Sequence, residues 1–145
     1  MKYFFLVAMI VLASCKSTDK KDNTEPYVAE RATVNHNAVK EYIVNLNDPK
    51  DRNAEFHVAL FEQKKTLEYE VRFRYKDAAS EKIFTLPNLG FMPKPDLKRG
   101  ADSLTCVIGF YDADSTFKEF RAIQVVDGVM SYKHLKEYQT EDPKK

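Results

Sequence analysis

Three histidines and one internal cysteine have the side-chain types that bind zinc or build a thiol nucleophile: His36, His57, His134 and Cys106. The histidines are far apart, and Cys106 alternates in phase with the large apolar residues of Leu104–Phe110. A free cysteine in such a pattern behaves as a small buried hydrophobe, whereas a reactive thiolate needs an electropositive, partly exposed place. We therefore predict neither a metal site nor a catalytic cysteine from this set.

Other catalytic patterns are missing from the printed sequence. It contains no Gly-rich phosphate loop, no His-Glu-x-x-His and no Gly-x-Ser-x-Gly. The chain has only four glycines, and this small number argues against a glycine-rich backbone cradle for phosphate. These patterns predict a protein that is not an enzyme and that uses no cofactor.

The run Asp112-x-Asp114-x-Thr116 resembles the start of a calcium loop. An EF-hand needs glycine at its sixth position and a carboxylate at its twelfth, and these positions hold Phe117 and Ile123. A polar hairpin turn is the preferred interpretation. A weak calcium site at a sandwich tip, with Asp112, Asp114 and Glu119, stays open as the alternative.

The N-terminus has the pattern of a targeting segment. Lys2 precedes an uncharged apolar run at Tyr3–Leu12, which is too short to span a bilayer, since spanning needs about 20 residues, but fits the h-region of a secretory signal. Leu12-Ala13-Ser14-Cys15 then resembles the lipobox of bacterial lipoproteins. The resemblance implies cleavage before Cys15 and attachment of acyl chains to it, which would hold the protein on a membrane. An ordinary secretory signal with a chance cysteine is the alternative.

The residues after the cysteine bear on localisation. In lipoproteins an aspartate directly after the cysteine commonly means retention at the inner membrane, and this chain has Lys16 there. The stretch Lys16–Asp22 also resembles the charged export tags of surface lipoproteins from Bacteroidota. The resemblance implies a small envelope lipoprotein of the outer membrane, on its periplasmic or its surface-exposed face.

Composition fits one domain behind this anchor. Of 145 residues, 43% are hydrophobic and 31% are charged, so the chain can build a core. The net charge of +1 provides no general basic field for nucleic acid. We predict a signal peptide over 1–14, a lipidated flexible tether over 15–26, a folded domain over 27–139 and a polar tail over 140–145.

Hydrophobic alternation in the folded part has a period of two. In Thr66–Lys76, five large apolar residues alternate with five charged ones, which predicts a strand with one dry and one wet face. Similar runs occupy Val39–Leu46, Glu55–Glu62, Lys82–Leu86, Ser103–Tyr111, Thr116–Val126 and Val129–Tyr138. Asp127-Gly128 predicts a tight type I′ turn between the last two.

About seven strands at this spacing predict an all-β fold. The predicted architecture is a single antiparallel β-sandwich, immunoglobulin-like or transthyretin-like, with a small β-barrel as the alternative. Both faces of Ser103–Tyr111 are apolar or small, which favours a central position for that strand.

One connection, Pro87–Asp102, is long for a compact domain. It is either a crossover between sheets or a contact loop, and its candidate contact residues are Phe91, Met92, Lys94, Lys98 and Arg99. The leading hypothesis is a non-enzymatic binding or assembly module that meets an unknown envelope protein or glycan through this loop or through an exposed strand edge. The alternatives are an inhibitor or immunity-type lipoprotein and a glycan-binding accessory lipoprotein, the latter using Tyr111, Phe117, Tyr132 or Tyr138.

Overall fold

A computed structural model describes residues 30–138 of the chain. The predicted signal peptide, the lipid-attachment residue Cys15 with its tether, and the polar tail at 140–145 all lie outside these residues. Within 30–138 the secondary structure consists of eight strands. None of these residues forms a helix that is long and apolar enough to cross a membrane.

The first four strands form one antiparallel sheet. They are β1 (Lys40–Asn45), β2 (Glu55–Glu62), β3 (Glu68–Tyr75) and β4 (Ala78–Thr85), paired in chain order. The alternation predicted for β3 is confirmed, because its apolar residues are buried or half-buried while its arginines are exposed.

The last four strands form a second antiparallel sheet, again in chain order. They are β5 (Lys94–Arg99), β6 (Thr105–Tyr111), β7 (Phe117–Val126) and β8 (Val129–His134). The interior position predicted for β6 is confirmed, since six of its seven residues are buried. Asp127 and Gly128 both have positive φ, 52° and 79°, as a type I′ turn between β7 and β8 requires.

The inner faces of the two sheets share one hydrophobic core. Phe73 of β3 stacks on Tyr132 of β8 with ring centroids 6.5 Å apart, and Phe84 of β4 lies 6.1 Å from Phe120 of β7. The fold is therefore all-β, with two four-stranded sheets that are not closed into a barrel. Immunoglobulin domains exchange strands between their sheets, whereas each sheet here is built from consecutive strands.

The structure corrects the strand count from about seven to eight. The additional strand is β5, which lies inside the connection 87–102, a segment that the sequence predicts to be an irregular loop. Its sequence Lys-Pro-Asp-Leu-Lys-Arg is polar and contains Pro95. Strands are usually recognised by apolar alternation and rarely contain proline, so this sequence does not predict one. Gly100 N–H donates to the Thr105 carbonyl (2.7 Å), and the alternating ladder then directs the nitrogen of Pro95 away from β6. Because β5 is an edge strand, the missing N–H of Pro95 breaks no hydrogen bond to β6.

One side of the sandwich is fastened by contacts between the edge strands. Lys40 Nζ of β1 lies 3.2 Å from Asp96 Oδ1 of β5, and the Tyr42 hydroxyl donates to the Ser103 carbonyl (3.0 Å). These contacts fix the start of β1 beside the start of β5, where a cleft forms.

Candidate functional site

The five candidate contact residues do not share one loop surface. Phe91 and Met92 precede β5, and Lys94, Lys98 and Arg99 belong to it. Met92 and Lys94 line a cleft, whereas Lys98 Nζ lies over the ring of Phe117 at 4.2 Å. Arg99 is at the far end of the strand.

This cleft, called here the β5 cleft, has a volume of about 480 Å³. It opens where β5 and the residues before it face the β2–β3 turn and the start of β1. Its lining is mainly apolar, with charged and polar groups around it: Val39, Tyr69, Met92, Pro93, Pro95 and Tyr111 together with Arg31, Lys40, Glu62, Lys94 and Thr66.

Arg31 builds one wall of the β5 cleft. Its guanidinium donates to the carbonyl oxygens of Gln63, Lys65 and Thr66 in the β2–β3 turn. It also lies 3.6 Å from the Glu62 carboxylate. These bonds fasten the segment before β1 across the turn, so Arg31 positions the wall. Sequence reasoning missed Arg31, because nothing in the local pattern separates it from the other basic residues.

Lys94 is the cation of the β5 cleft that has no partner in the described part of the chain. Arg31 is satisfied by the turn, and Lys40 pairs with Asp96. The backbone of Lys94 pairs with Tyr111 in the β5–β6 ladder, but its side chain is exposed and makes no ion pair or hydrogen bond to any residue within 30–138. Met92 beside it is 44% exposed, so an unpaired positive charge and an accessible apolar side chain lie together at the mouth.

A second groove, of about 480 Å³, crosses the outer face of the first sheet. Its charges are already paired. Arg72 bonds Glu70 and lies 4.3 Å over the Phe61 ring, and Arg74 bonds Glu55. The hydrogen bond from Arg72 lowers the pKa of Glu70 below its usual range. The pairing of these charges agrees with the solvated face that the sequence predicts. Among the described residues that line this groove, no cation lacks an ion-pair partner as Lys94 does.

His57 occupies this outer face between two carboxylates. Its Nε2 lies 3.3 Å from Glu41 Oε1 and its Nδ1 lies 3.5 Å from Glu55 Oε1. Nε2 is also buried and has no hydrogen bond of acceptable angle. Nε2 and the Glu41 carboxylate are therefore close together but not hydrogen-bonded. His57 therefore lies beside the Arg74–Glu55 ion pair on the solvated face of the sheet.

The structure does not bring the histidines and Cys106 together. Cys106 is fully buried in the shared core, and burial raises the pKa of its thiol to about 12. The prediction that Cys106 packs as a core residue is confirmed. Across residues 30–138, no group of three or more His, Cys, Asp or Glu side chains is placed to hold a metal ion.

Asp112 organises the β6–β7 turn. Its carboxylate accepts from the N–H groups of Asp114 (3.0 Å) and Thr116 (2.8 Å). It also lies 3.2 Å from Lys118 Nζ. The Thr116 bond, followed by Lys118, lowers the pKa of Asp112. The interpretation as a polar hairpin turn therefore fits the geometry.

The aromatic residues proposed as sugar platforms are mostly occupied by other side chains. Tyr132 stacks on Phe73, and Tyr138 packs edge-on against Phe110 at 5.2 Å. Phe117 lies beneath Lys98. Stacking a sugar on these rings would need a core contact or an ammonium group to be displaced.

In comparisons with known proteins, no family model, no curated protein and no solved structure matches this chain. Its function must be inferred from the β5 cleft and from the N-terminal sequence.

Proposed function

We propose that this protein is a lipid-anchored component of the cell envelope that acts as a non-enzymatic binding or assembly module. The lipobox-like Leu12-Ala13-Ser14-Cys15 supports acyl attachment at Cys15, and Lys16 supports an outer-membrane location. The contact surface is the β5 cleft. The observation that carries the proposal is that accessible Met92 lies at its mouth together with Lys94, whose side chain has no partner within 30–138.

The entry point of the chain supports this choice of surface. Glu30, the first described residue, forms a β-bridge with Lys65 in the β2–β3 turn, next to the wall made by Arg31. Fourteen residues separate it from Cys15, a reach of at most about 50 Å at ~3.6 Å per residue. The β5 cleft therefore lies at the end of the domain that the anchor enters, within reach of other proteins on the same membrane.

The chemistry of the cleft indicates the kind of partner. An apolar side chain that covers Met92 and Val39 would gain about 25 cal/mol for each Å² of apolar surface removed from water. A carboxylate beside it would pair with Lys94, whose charge nothing in the described domain neutralises. We infer a protein segment that presents an apolar residue next to an acidic one.

The test is site-specific photo-crosslinking in intact producing cells with the full-length lipidated protein. A photo-reactive residue at Met92 should trap one protein, and Lys94→Glu should reduce that product at least about fivefold by replacing attraction with repulsion. Cys15→Ser, which cannot accept the lipid, should also lose the product by releasing the protein from the membrane.

The matched control places the photo-reactive residue at Lys50, in the β1–β2 connection at the opposite end of the sandwich. Identical crosslinked products from both positions would rule out the β5 cleft as the contact surface. A yield of the Met92 product that Lys94→Glu does not change would rule it out as well. If Met92 traps no protein at all while a glycan panel gives binding, the glycan alternative replaces the proposal.

A further inference from the structure

Among residues 30–138, no strand pairs with the outer edge of β4, the last strand of the first sheet. Seven of its eight residues are exposed. The other edges are shorter or protected: β1 and β5 are fastened to each other by the Lys40–Asp96 pair, β5 carries Pro95, and only three of the six residues of β8 are exposed. Natural sheets usually shield a long free edge, because its backbone groups can pair with another chain.

The ladder shows which backbone groups of β4 are free. Leu86 N–H donates to the Leu67 carbonyl (2.9 Å), and hydrogen-bonded pairs alternate along an antiparallel ladder. Even-numbered residues of β4 therefore bond to β3, in the register that pairs Phe84 with Tyr69. The odd-numbered residues direct their N–H and C=O groups outward, where β4 has no neighbouring strand within 30–138: Ala79, Glu81, Ile83 and Thr85.

The side chains of β4 give this edge a distinct chemistry. Ile83 is 63% exposed on the outer face. Glu81 lies opposite Arg72, so its charge has a neighbour of opposite sign. Lys82 lies opposite the buried Val71, is itself exposed, and forms no ion pair with any described residue. The edge therefore presents one apolar group and one uncompensated positive charge.

Lys82 also opposes pairing of β4 with a second copy of itself. Antiparallel pairing that uses all four outward residues joins Ala79 to Thr85 and Glu81 to Ile83 of the other copy. It places the two Lys82 residues directly opposite each other in a pair without direct hydrogen bonds, where the Cα atoms are about 4.5 Å apart. Like charges in that position are destabilising, so this edge disfavours its own copy and favours an acidic strand.

We propose that β4 is a second binding surface, which takes up an extended protein segment as an additional antiparallel strand. The segment carries a carboxylate opposite Lys82 and an apolar residue opposite Ile83. The four outward N–H and C=O pairs can form hydrogen bonds with any strand. The charge of Lys82 makes binding selective for an acidic segment. The edge shares no residue with the β5 cleft, and the inference holds whether or not that cleft binds a partner.

The test uses two blocked heptapeptides of threonine and valine, which differ only in a central glutamate or lysine. Each is titrated into the ¹⁵N-labelled full chain at low salt, and amide shifts are followed. The glutamate peptide should shift the amides of Ala79, Glu81, Ile83 and Thr85. It should bind about fivefold more tightly than the lysine peptide, since one attraction replaces one repulsion.

Lys82→Glu should reverse this preference and leave the amide spectrum otherwise folded. Lys133→Glu is the matched control, because Lys133 lies on an exposed position of β8, and the preference should remain as in the wild-type chain. Lys94→Glu should likewise change nothing. Equal binding of the two peptides, a preference that survives Lys82→Glu, or the absence of shifts at the four outward amides would each overturn the proposal.

Discussion

At the scale of single residues, burial decides which reactive side chains can act. Cys106 has the chemistry of a nucleophile, but it lies among Ile108, Phe110 and other core residues with no exposed surface. Burial destabilises the thiolate and raises the pKa of the thiol to about 12. This cysteine therefore contributes packing and not reactivity.

We expect the native Cys106 thiol to resist a disulfide reagent at pH 8. A pKa of about 12 in place of 9.0 leaves about a thousandfold less thiolate, and the core also excludes the reagent. The measurement is the rate of thiol release in the full chain with Cys15→Ser, so that Cys106 alone reports. The same chain in denaturant serves as the control and should react promptly; fast reaction of the native chain would contradict the burial of Cys106.

Lys94 and Lys82 show the opposite situation. Both are exposed lysines of edge strands, and neither has an ion-pair partner among residues 30–138. Most charged residues around them are paired, such as Lys40 with Asp96 and Arg74 with Glu55. An unpaired cation on an otherwise compensated surface is a site where a partner's carboxylate adds attraction without breaking an existing pair.

At the scale of elements, the β6–β7 ladder contains a bulge that depends on a missing side chain. The register shifts between Ile108 and Gly109. A Cβ built on Gly109 would run into the Lys118 carbonyl oxygen and the Phe117 ring. The glycine therefore allows the backbone of β7 and the Phe117 ring to approach closely, with Lys98 lying over the same ring.

Gly109→Ala should lower the free energy of unfolding by about 1–3 kcal/mol, the usual cost of overpacking. The Phe117 ring can move aside, but the Lys118 carbonyl belongs to the neighbouring strand and cannot. Chemical denaturation of the variant measures the change. Ser80→Ala, at an exposed position of β4, is the control and should stay within about 0.5 kcal/mol of the wild type. A Gly109→Ala protein as stable as the wild type would show that the bulge can relax.

The edge strands differ in how far they can accept another chain. Proline in β5 removes a donor at Pro95, and the Lys40–Asp96 pair joins β5 to β1. β4 lacks both devices, and no described strand pairs with its four outward residues. The binding potential of the fold is therefore concentrated at the β5 cleft on one side and at the β4 edge on the other.

At the scale of the whole molecule, carboxylates with lowered pKa values lie at both ends of the sandwich and on its outer face. Asp48 accepts from Lys50 N–H and pairs with Lys76 near one end, and Asp112 closes a turn near the other. These bonds lower the pKa of Asp48 and of Asp112. Glu70, between them on the outer face, has a lowered pKa through Arg72.

Stability should consequently fall on acidification. With a lowered native pKa, the unfolded chain binds more protons than the native one as the pH falls toward the ordinary pKa values, 4.5 for Glu70 and 3.8 for Asp48 and Asp112. The free energy of unfolding then decreases through the native pKa values. Denaturation midpoints at pH 6, 4 and 3 measure the decrease. Asp112→Asn should be less stable at pH 6 and less sensitive to acid.

The control is Asp77→Asn, since Asp77 makes no ion pair or hydrogen bond within the described residues. Its acid sensitivity should match that of the wild type. An acid response identical in the wild type and in Asp112→Asn would show that the Asp112 bonds contribute no pH dependence.

Seven of the eight strands and most of the core could be predicted from the sequence. Alternation in β3 places Val71 and Phe73 on one face through chain geometry alone, and Asp127-Gly128 specifies its turn through the positive φ that these residues tolerate. The N-terminal pattern at Cys15 is equally local. It remains a prediction, because it lies outside the described residues.

The tertiary structure decided the rest. The strand β5 has no apolar alternation, and it forms because β6 offers it an edge. The β5 cleft joins Arg31, Lys40, Glu62 and Lys94, which are distant in sequence and meet only when the two sheets pack. Whether Lys82 lies on a free edge also depends on which strands have neighbours. Periodicity is a local property that reveals the faces of strands, whereas clefts and free edges arise from packing between strands that the local pattern does not encode.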